Sequence, residues 1–110
     1  MVSVFLAAIP ANVRAAQAIC EANEAHNATY IRFGALLRIR GDTKLVFDRE
    51  IVEQAVGRRL TEDEWRSITW NYIGAISKSD HSEIVFEDSE DSEVVDEFWD
   101  KQVEVLKRKI

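Results

Sequence analysis

The sequence predicts an α+β domain, a small antiparallel sheet of about three strands packed by three to four helices. Three observations carry that expectation. Ile31, Phe33, Ala35, Leu37 and Ile39 alternate with Arg32, Gly34, Leu36, Arg38 and Arg40 across Thr29–Arg40, the period of a half-buried strand. Thr61-Glu62-Asp63-Glu64 reads as a capping box at the head of a run with helical spacing. Val95, Trp99, Val103, Leu106 and Ile110 repeat at helical spacing near the end of the chain. If Thr29–Arg40 is helical instead, the same pattern gives an all-α bundle.

Val2–Ile9 is apolar and fits either a short buried strand or a lead-in to the first helix. Pro10, tolerated in a first helical turn, opens a helix to about Ala25 whose inner face carries Val13, Ala16, Ile19, Cys20 and Asn23. Glu24-Ala25-His26-Asn27 ends it. After the Thr29–Arg40 strand, Gly41-Asp42-Thr43 makes a turn, and Lys44–Phe47 reads as the returning strand of a hairpin. Asp48 is a suitable N-cap for a short helix facing inward with Ile51, Val52, Ala55 and Val56, and Gly57 is its C-cap residue. The capping box then starts a helix continuing through Ile68, Tyr72, Ile73 and Ile76 to about Ser77, with Leu60 and Trp65 closing a hydrophobic staple. Glu83–Glu87 is the third strand, 88–93 an acidic turn, and Ser92–Lys109 a final helix with early acids and late bases, as the helix dipole favours.

A chain of 110 residues is too short for two independent cores, so 1–110 is read as a single globular domain with an acidic segment at 80–100. Its apolar fraction of 46% and charged fraction of 31% fit a folded soluble protein. The single cysteine, Cys20, excludes an internal disulfide and the cysteine-paired zinc sites. Nothing resembles a signal peptide or membrane span. A cytoplasmic protein that does not engage membranes is expected.

Catalytic chemistry finds little support. His26 and His81 form no metal-binding spacing, and Cys20 lies on the apolar face of its helix, where thiols pack as inert hydrophobes. The four glycines form no phosphate-binding loop. We therefore expect no catalytic residues, metal or cofactor. The Arg40-Gly41-Asp42 tripeptide and the Asn27-Ala28-Thr29 acceptor pattern both presuppose secretion, which nothing here suggests. The helices flanking Gly57–Leu60 have helix-turn-helix spacing, but the acids at 62–64 repel phosphate.

Charge is the remaining signal. Residues 61–110 hold fourteen Asp and Glu against six Lys and Arg, while the first sixty residues are slightly basic. The expected function is a non-enzymatic protein-binding module that docks a basic partner on an acidic surface formed by Glu83, Glu87, Asp88, Glu90, Asp91, Glu93, Asp96, Glu97 and Asp100. In that reading it is an inhibitor competing with nucleic acid, of a viral or mobile-element type. One alternative is a nucleic-acid-binding domain using Arg32, Arg38 and Arg40; another is an enzyme subunit whose site only the fold reveals. The bland explanation of the two opposite charge blocks is internal, with the basic strand face paired to the acidic end of the chain. Trp65, Trp70 and Trp99 leave room for a homo-oligomer interface.

Overall fold

The computed structural model describes residues 1–68 and 71–89. Within them the chain forms β1 (Val2–Ala7), α1 (Pro10–Ala22), a 3₁₀ turn (Glu24–His26), β2 (Thr29–Phe33), β3 (Leu36–Gly41), β4 (Lys44–Asp48), α2 (Arg49–Val56), α3 (Glu62–Ser67), β5 (Tyr72–Ile73), β6 (Ala75–Ser79) and β7 (Glu83–Glu87). The strands make two antiparallel sheets, a first in the order β2-β3-β1-β5 and a second in the order β4-β7-β6. This corrects the expected three-stranded sheet with three to four helices, and excludes the all-α alternative. Among the described residues seven strands are present, and only α1 and α2 exceed six residues as helices.

Val2–Ala7 resolves as a strand, central in the first sheet, where Val2 and Val4 are fully buried. Thr29–Arg40 is not one strand but a hairpin: a two-residue turn at Gly34-Ala35 brings Phe33 opposite Leu36 and Ile31 opposite Arg38. Gly34 supplies the turn with a φ of 59°. The expected return through Lys44–Phe47 also fails, because β4 leaves the first sheet and pairs with β7.

The largest correction concerns Thr61–Ser77. The capping box is present in full, with Glu64 N–H donating to Thr61 Oγ1 and Thr61 N–H donating to the Glu64 carboxylate, but α3 stops at Ser67. Tyr72 and Ile73 instead add a strand beside β1, and Ala75–Ser79 adds one beside β7. The helical spacing of Tyr72, Ile73 and Ile76 is accidental, since Gly74 between them holds a φ of 129°, outside any right-handed helix. Tertiary pairing prevails over local periodicity. Other local readings survive. The Asp48 carboxylate caps α2 at the Ile51 N–H, Gly57 ends it in the left-handed region, and Glu83–Glu87 is a strand. The expected final helix lies outside the described residues.

The core sits between the first sheet, the second sheet and α1. Val4, Leu37 and Ile39 of the first sheet meet Ala16 and Ile19 of α1, Phe47 and Phe86 of the second sheet, and Trp65 of α3. Phe47 and Phe86 pack edge to face with ring centroids 5.2 Å apart. Asn23 closes the edge of the second sheet. It is buried, and its amide donates to Val46 O while accepting from Val46 N–H, both at 2.8 Å, as a neighbouring strand would.

Among the described residues the chain passes directly from the first sheet to the second at two places, β3 to β4 and β5 to β6, and both crossings need glycine. A Cβ on Gly41 would lie 2.6 Å from Lys44 O, and one on Gly74 would lie 2.5 Å from Glu87 O. Gly74→Ala therefore adds a backbone clash to an unfavourable φ and is expected to cost about 3 kcal/mol, whereas Gly34→Ala, with open space around it, costs about 1 kcal/mol. Urea denaturation of the two variants checks the ranking; equal losses would show that the crossing is not tight.

Candidate functional site

A cleft of about 790 Å³, open to solvent, lies where α2, the 57–61 loop and the β6–β7 turn converge. Arg49 dominates it. Its guanidinium donates to Glu62 Oε1 at 2.6 Å, Leu60 O at 2.6 Å and His81 O at 3.0 Å, and stands 3.5 Å from Glu53 Oε2. Glu53 in turn accepts from Leu60 N–H at 2.7 Å. The hydrogen bond from Arg49 lowers the Glu62 pKa, and Glu62 raises that of Arg49. With its donors spent on backbone carbonyls and carboxylates, Arg49 ties four segments together and offers no reactive group. Sequence reasoning passed over it. The available signal was a cation at the first position of a helix, where the dipole disfavours it.

The other polar groups are also structural. Asp80 caps its own turn through Ser82 N–H, Ser82 Oγ and Glu83 N–H, each at 2.8 Å. Trp65 Nε1–H donates to Asp80 O at 2.9 Å, joining α3 to that turn. Cys20 is half-buried, its thiol pushed up to about 11 by burial, and the hollow beside it contains no histidine. Among the described residues no group of three or more His, Cys, Asp or Glu stands ready to hold a metal ion.

The hairpin redistributes the arginines expected to share one strand face. Arg38 and Arg40 point to the outer face of the first sheet, opposite Phe5 and Ser3 of β1. Arg32 falls on the other face and donates to Gly34 O of its own turn. Arg38 is only 1% exposed; its Nε donates to Ser3 Oγ at 3.2 Å and its guanidinium lies 5.8 Å from the Phe5 ring centroid. A continuous basic row is therefore absent.

The expected acidic surface is likewise dispersed where it is described. Glu83 and Glu87 lie at opposite ends of β7, about 13 Å apart at the rise of a strand. Lys78 Nζ is 3.6 Å from Glu83, Lys44 lies opposite Glu87, and Asp88 meets the Met1 amino group at 2.6 Å. Glu90, Asp91, Glu93, Asp96, Glu97 and Asp100 lie outside the described residues.

Apolar exposure has a different distribution. The large apolar side chains exposed among the described residues are Ile9 at 52%, Ile31 at 46% and Tyr72 at 37%. All three belong to the first sheet or adjoin it: Ile9 follows β1, Ile31 lies on edge strand β2, and Tyr72 lies on edge strand β5. Ala8 N–H donates to Ala35 O, which holds the Ile9 segment beside the hairpin turn. Exposed apolar side chains around one sheet are the material of a protein interface.

The profile of the MmoB/DmpM family matches residues 1–87. The chain belongs to this family. Its members are regulatory proteins of monooxygenases and are not themselves catalytic, so the chain is a non-enzyme, as expected from its sequence. Two solved structures, each described as a phenol hydroxylase–regulatory protein complex, contain a chain of similar fold. One aligns with a TM-score of 0.61 at 23% identity over 80% of this chain and 98% of that chain. The other aligns with a TM-score of 0.56 at 20% identity over 78% and 96%. No curated protein matches the chain. Family membership overturns the expected inhibitor that competes with nucleic acid, together with its nucleic-acid-binding alternative. Among the described residues no helix is long and apolar enough to cross a membrane.

Acid should loosen the turn and cap carboxylates. Glu64 is held at about 2, first by Arg58 and then by the Thr61 N–H, and Asp80 at about 2, first by the Ser82 N–H. Unfolding returns both to about 4. Their contribution is therefore complete above about pH 4.5 and is lost as pH falls toward 2. The urea midpoint should drop across that window, and less so in Glu64→Gln/Asp80→Asn. An identical drop in the double variant would assign the acid sensitivity to other groups.

Proposed function

We propose that this chain is the regulatory component of a multicomponent monooxygenase and acts by docking on the hydroxylase component. The observation that carries the reading is the family match across residues 1–87. The structural likeness supports it: a partial span of this 110-residue chain accounts for 98% of the matched chain, so that chain is the small component of its hydroxylase complex.

A non-catalytic component alters turnover by binding one state of its partner better than another. Such binding draws on desolvated apolar contacts, because interface cores are depleted of charge. The exposed Ile9, held beside the Gly34-Ala35 turn, and Ile31 on edge strand β2 are the docking surface this reading favours. On the second sheet Lys78 is paired internally with Glu83 and Asp80.

Steady-state turnover by the hydroxylase and its reductase, with increasing amounts of this chain, tests the proposal. Turnover should change saturably. Ile9→Asp combined with Ile31→Asp should raise the concentration required by about tenfold or more, while Glu83→Lys leaves it unchanged. Turnover indifferent to the chain at every ratio would overturn the regulatory reading. A saturable effect untouched by the double variant would move the docking surface elsewhere.

A further inference from the structure

A sheet edge carries unpaired backbone N–H and C=O groups, so each edge is a template for a further strand unless something blunts it. Among the described residues the two sheets have four edges, β2 and β5 on the first and β4 and β6 on the second. Three of them are blunted. β5 is only two residues long. On β4 the Asn23 side chain already occupies both backbone groups of Val46. β6 is broken by a register shift between Ile76 and Lys78. β2 differs: its five residues pair with β3 in unbroken register, and Thr29, Ile31 and Arg32 are exposed. The two-residue turn at Gly34-Ala35 makes Phe33 and Leu36 a hydrogen-bonded pair, so Ile31 and Thr29 also bond to β3. The donation of Phe5 N–H to Asn71 O, away from β3, gives the same alternation through β1. The N–H and C=O groups of Tyr30 and Arg32 consequently point outward from the free edge.

We propose that the β2 edge takes an extended segment of the hydroxylase component as an added strand. The inference rests on the regulatory reading and specifies how the chain docks. Main-chain hydrogen bonds to Tyr30 and Arg32 supply affinity, and alternate side chains supply selectivity. Ile31, 46% exposed, projects from the outer face of the sheet and is matched by an apolar neighbour. Arg32 projects from the other face; its Nε donates to Gly34 O at 3.3 Å, and Thr29–Ala35 carries no carboxylate. The segment that fits therefore sets an apolar residue beside Ile31 and, next to it in sequence, an Asp or Glu beside Arg32. Two copies of this chain joined through the same edge would bring two arginines together and no acid. Ile9 is continuous with the edge, since Ala8 N–H donates to Ala35 O of the turn that ends β2.

Hydrogen exchange separates strand addition from docking through side chains alone. The intact chain is exchanged in deuterated buffer, by itself and with the hydroxylase at a ratio that saturates the change in turnover. After quenching, deuterium is located residue by residue by mass spectrometry with electron-transfer fragmentation. The Tyr30 and Arg32 amides should slow by about tenfold or more in the complex, whereas Ile31 and Phe33, already bonded to β3, are slow in both samples. Arg32→Pro deletes an outward N–H and suits an edge strand. It should raise the concentration needed for half-maximal effect by about tenfold or more, well beyond Arg32→Val, which keeps the N–H. A saturable change in turnover with no slowing at Tyr30 and Arg32, or with equal effects of the two variants, would overturn strand addition and leave the regulatory reading standing. Turnover indifferent to the chain at every ratio would overturn both. Slowing that appears in the chain alone as its concentration rises would give the edge to a second copy and overturn the proposal.

Discussion

The structure depends on how closely two sheets are brought together at one seam. β3 crosses to β4 at Gly41 and β5 crosses to β6 at Gly74, and at both places another strand's carbonyl occupies the space a Cβ would need. Val2, opposite Gly41 in the ladder, also crowds Gly74. Met1 and Asp88 close the same end with an ion pair. Because both crossings are this short, α1 and the two sheets enclose one continuous core rather than two thin ones, an advantage in a small domain with limited apolar surface to bury.

Polar side chains complete what the seam begins. Asn23 substitutes for a strand along the free edge of β4, satisfying both backbone groups of Val46. Arg49 gathers the carbonyls of Leu60 and His81 with the Glu62 carboxylate, fixing α3 and the β6–β7 turn to the start of α2. These contacts commit much of the buried and half-buried polar chemistry of the described residues to structure. A regulatory component needs a stable shape and a desolvable surface more than it needs a titrating group. In the proposed reading the exposed Ile9 and Ile31 supply that surface.

Local signals with a chemical mechanism were legible in the sequence: the Asp48 cap, the Gly57 stop, the Thr61–Glu64 capping box and the Glu83–Glu87 strand. Signals resting on periodicity alone were not. Alternation through Thr29–Arg40 ran unbroken across a hairpin turn, and that turn reversed which face each arginine occupies. Tyr72, Ile73 and Ile76 matched a helix, but their strand partners lie in β1 and β7, far away in sequence. The expectation of a non-enzyme agrees with the family match. The partner was not legible, because Ile9, Ile31 and Tyr72 look like core residues until the fold exposes them.

The most direct measurement is an NMR titration of the isotopically labelled chain with the unlabelled hydroxylase component of its monooxygenase, recording amide signals residue by residue. The account predicts saturable attenuation concentrated at Ile9 and Ile31 and their neighbours on β2 and the Gly34-Ala35 turn. Lys44, Val85 and Glu83 on the second sheet should be affected last. Spectra unchanged by the hydroxylase, or attenuation centred on the second sheet, would contradict it.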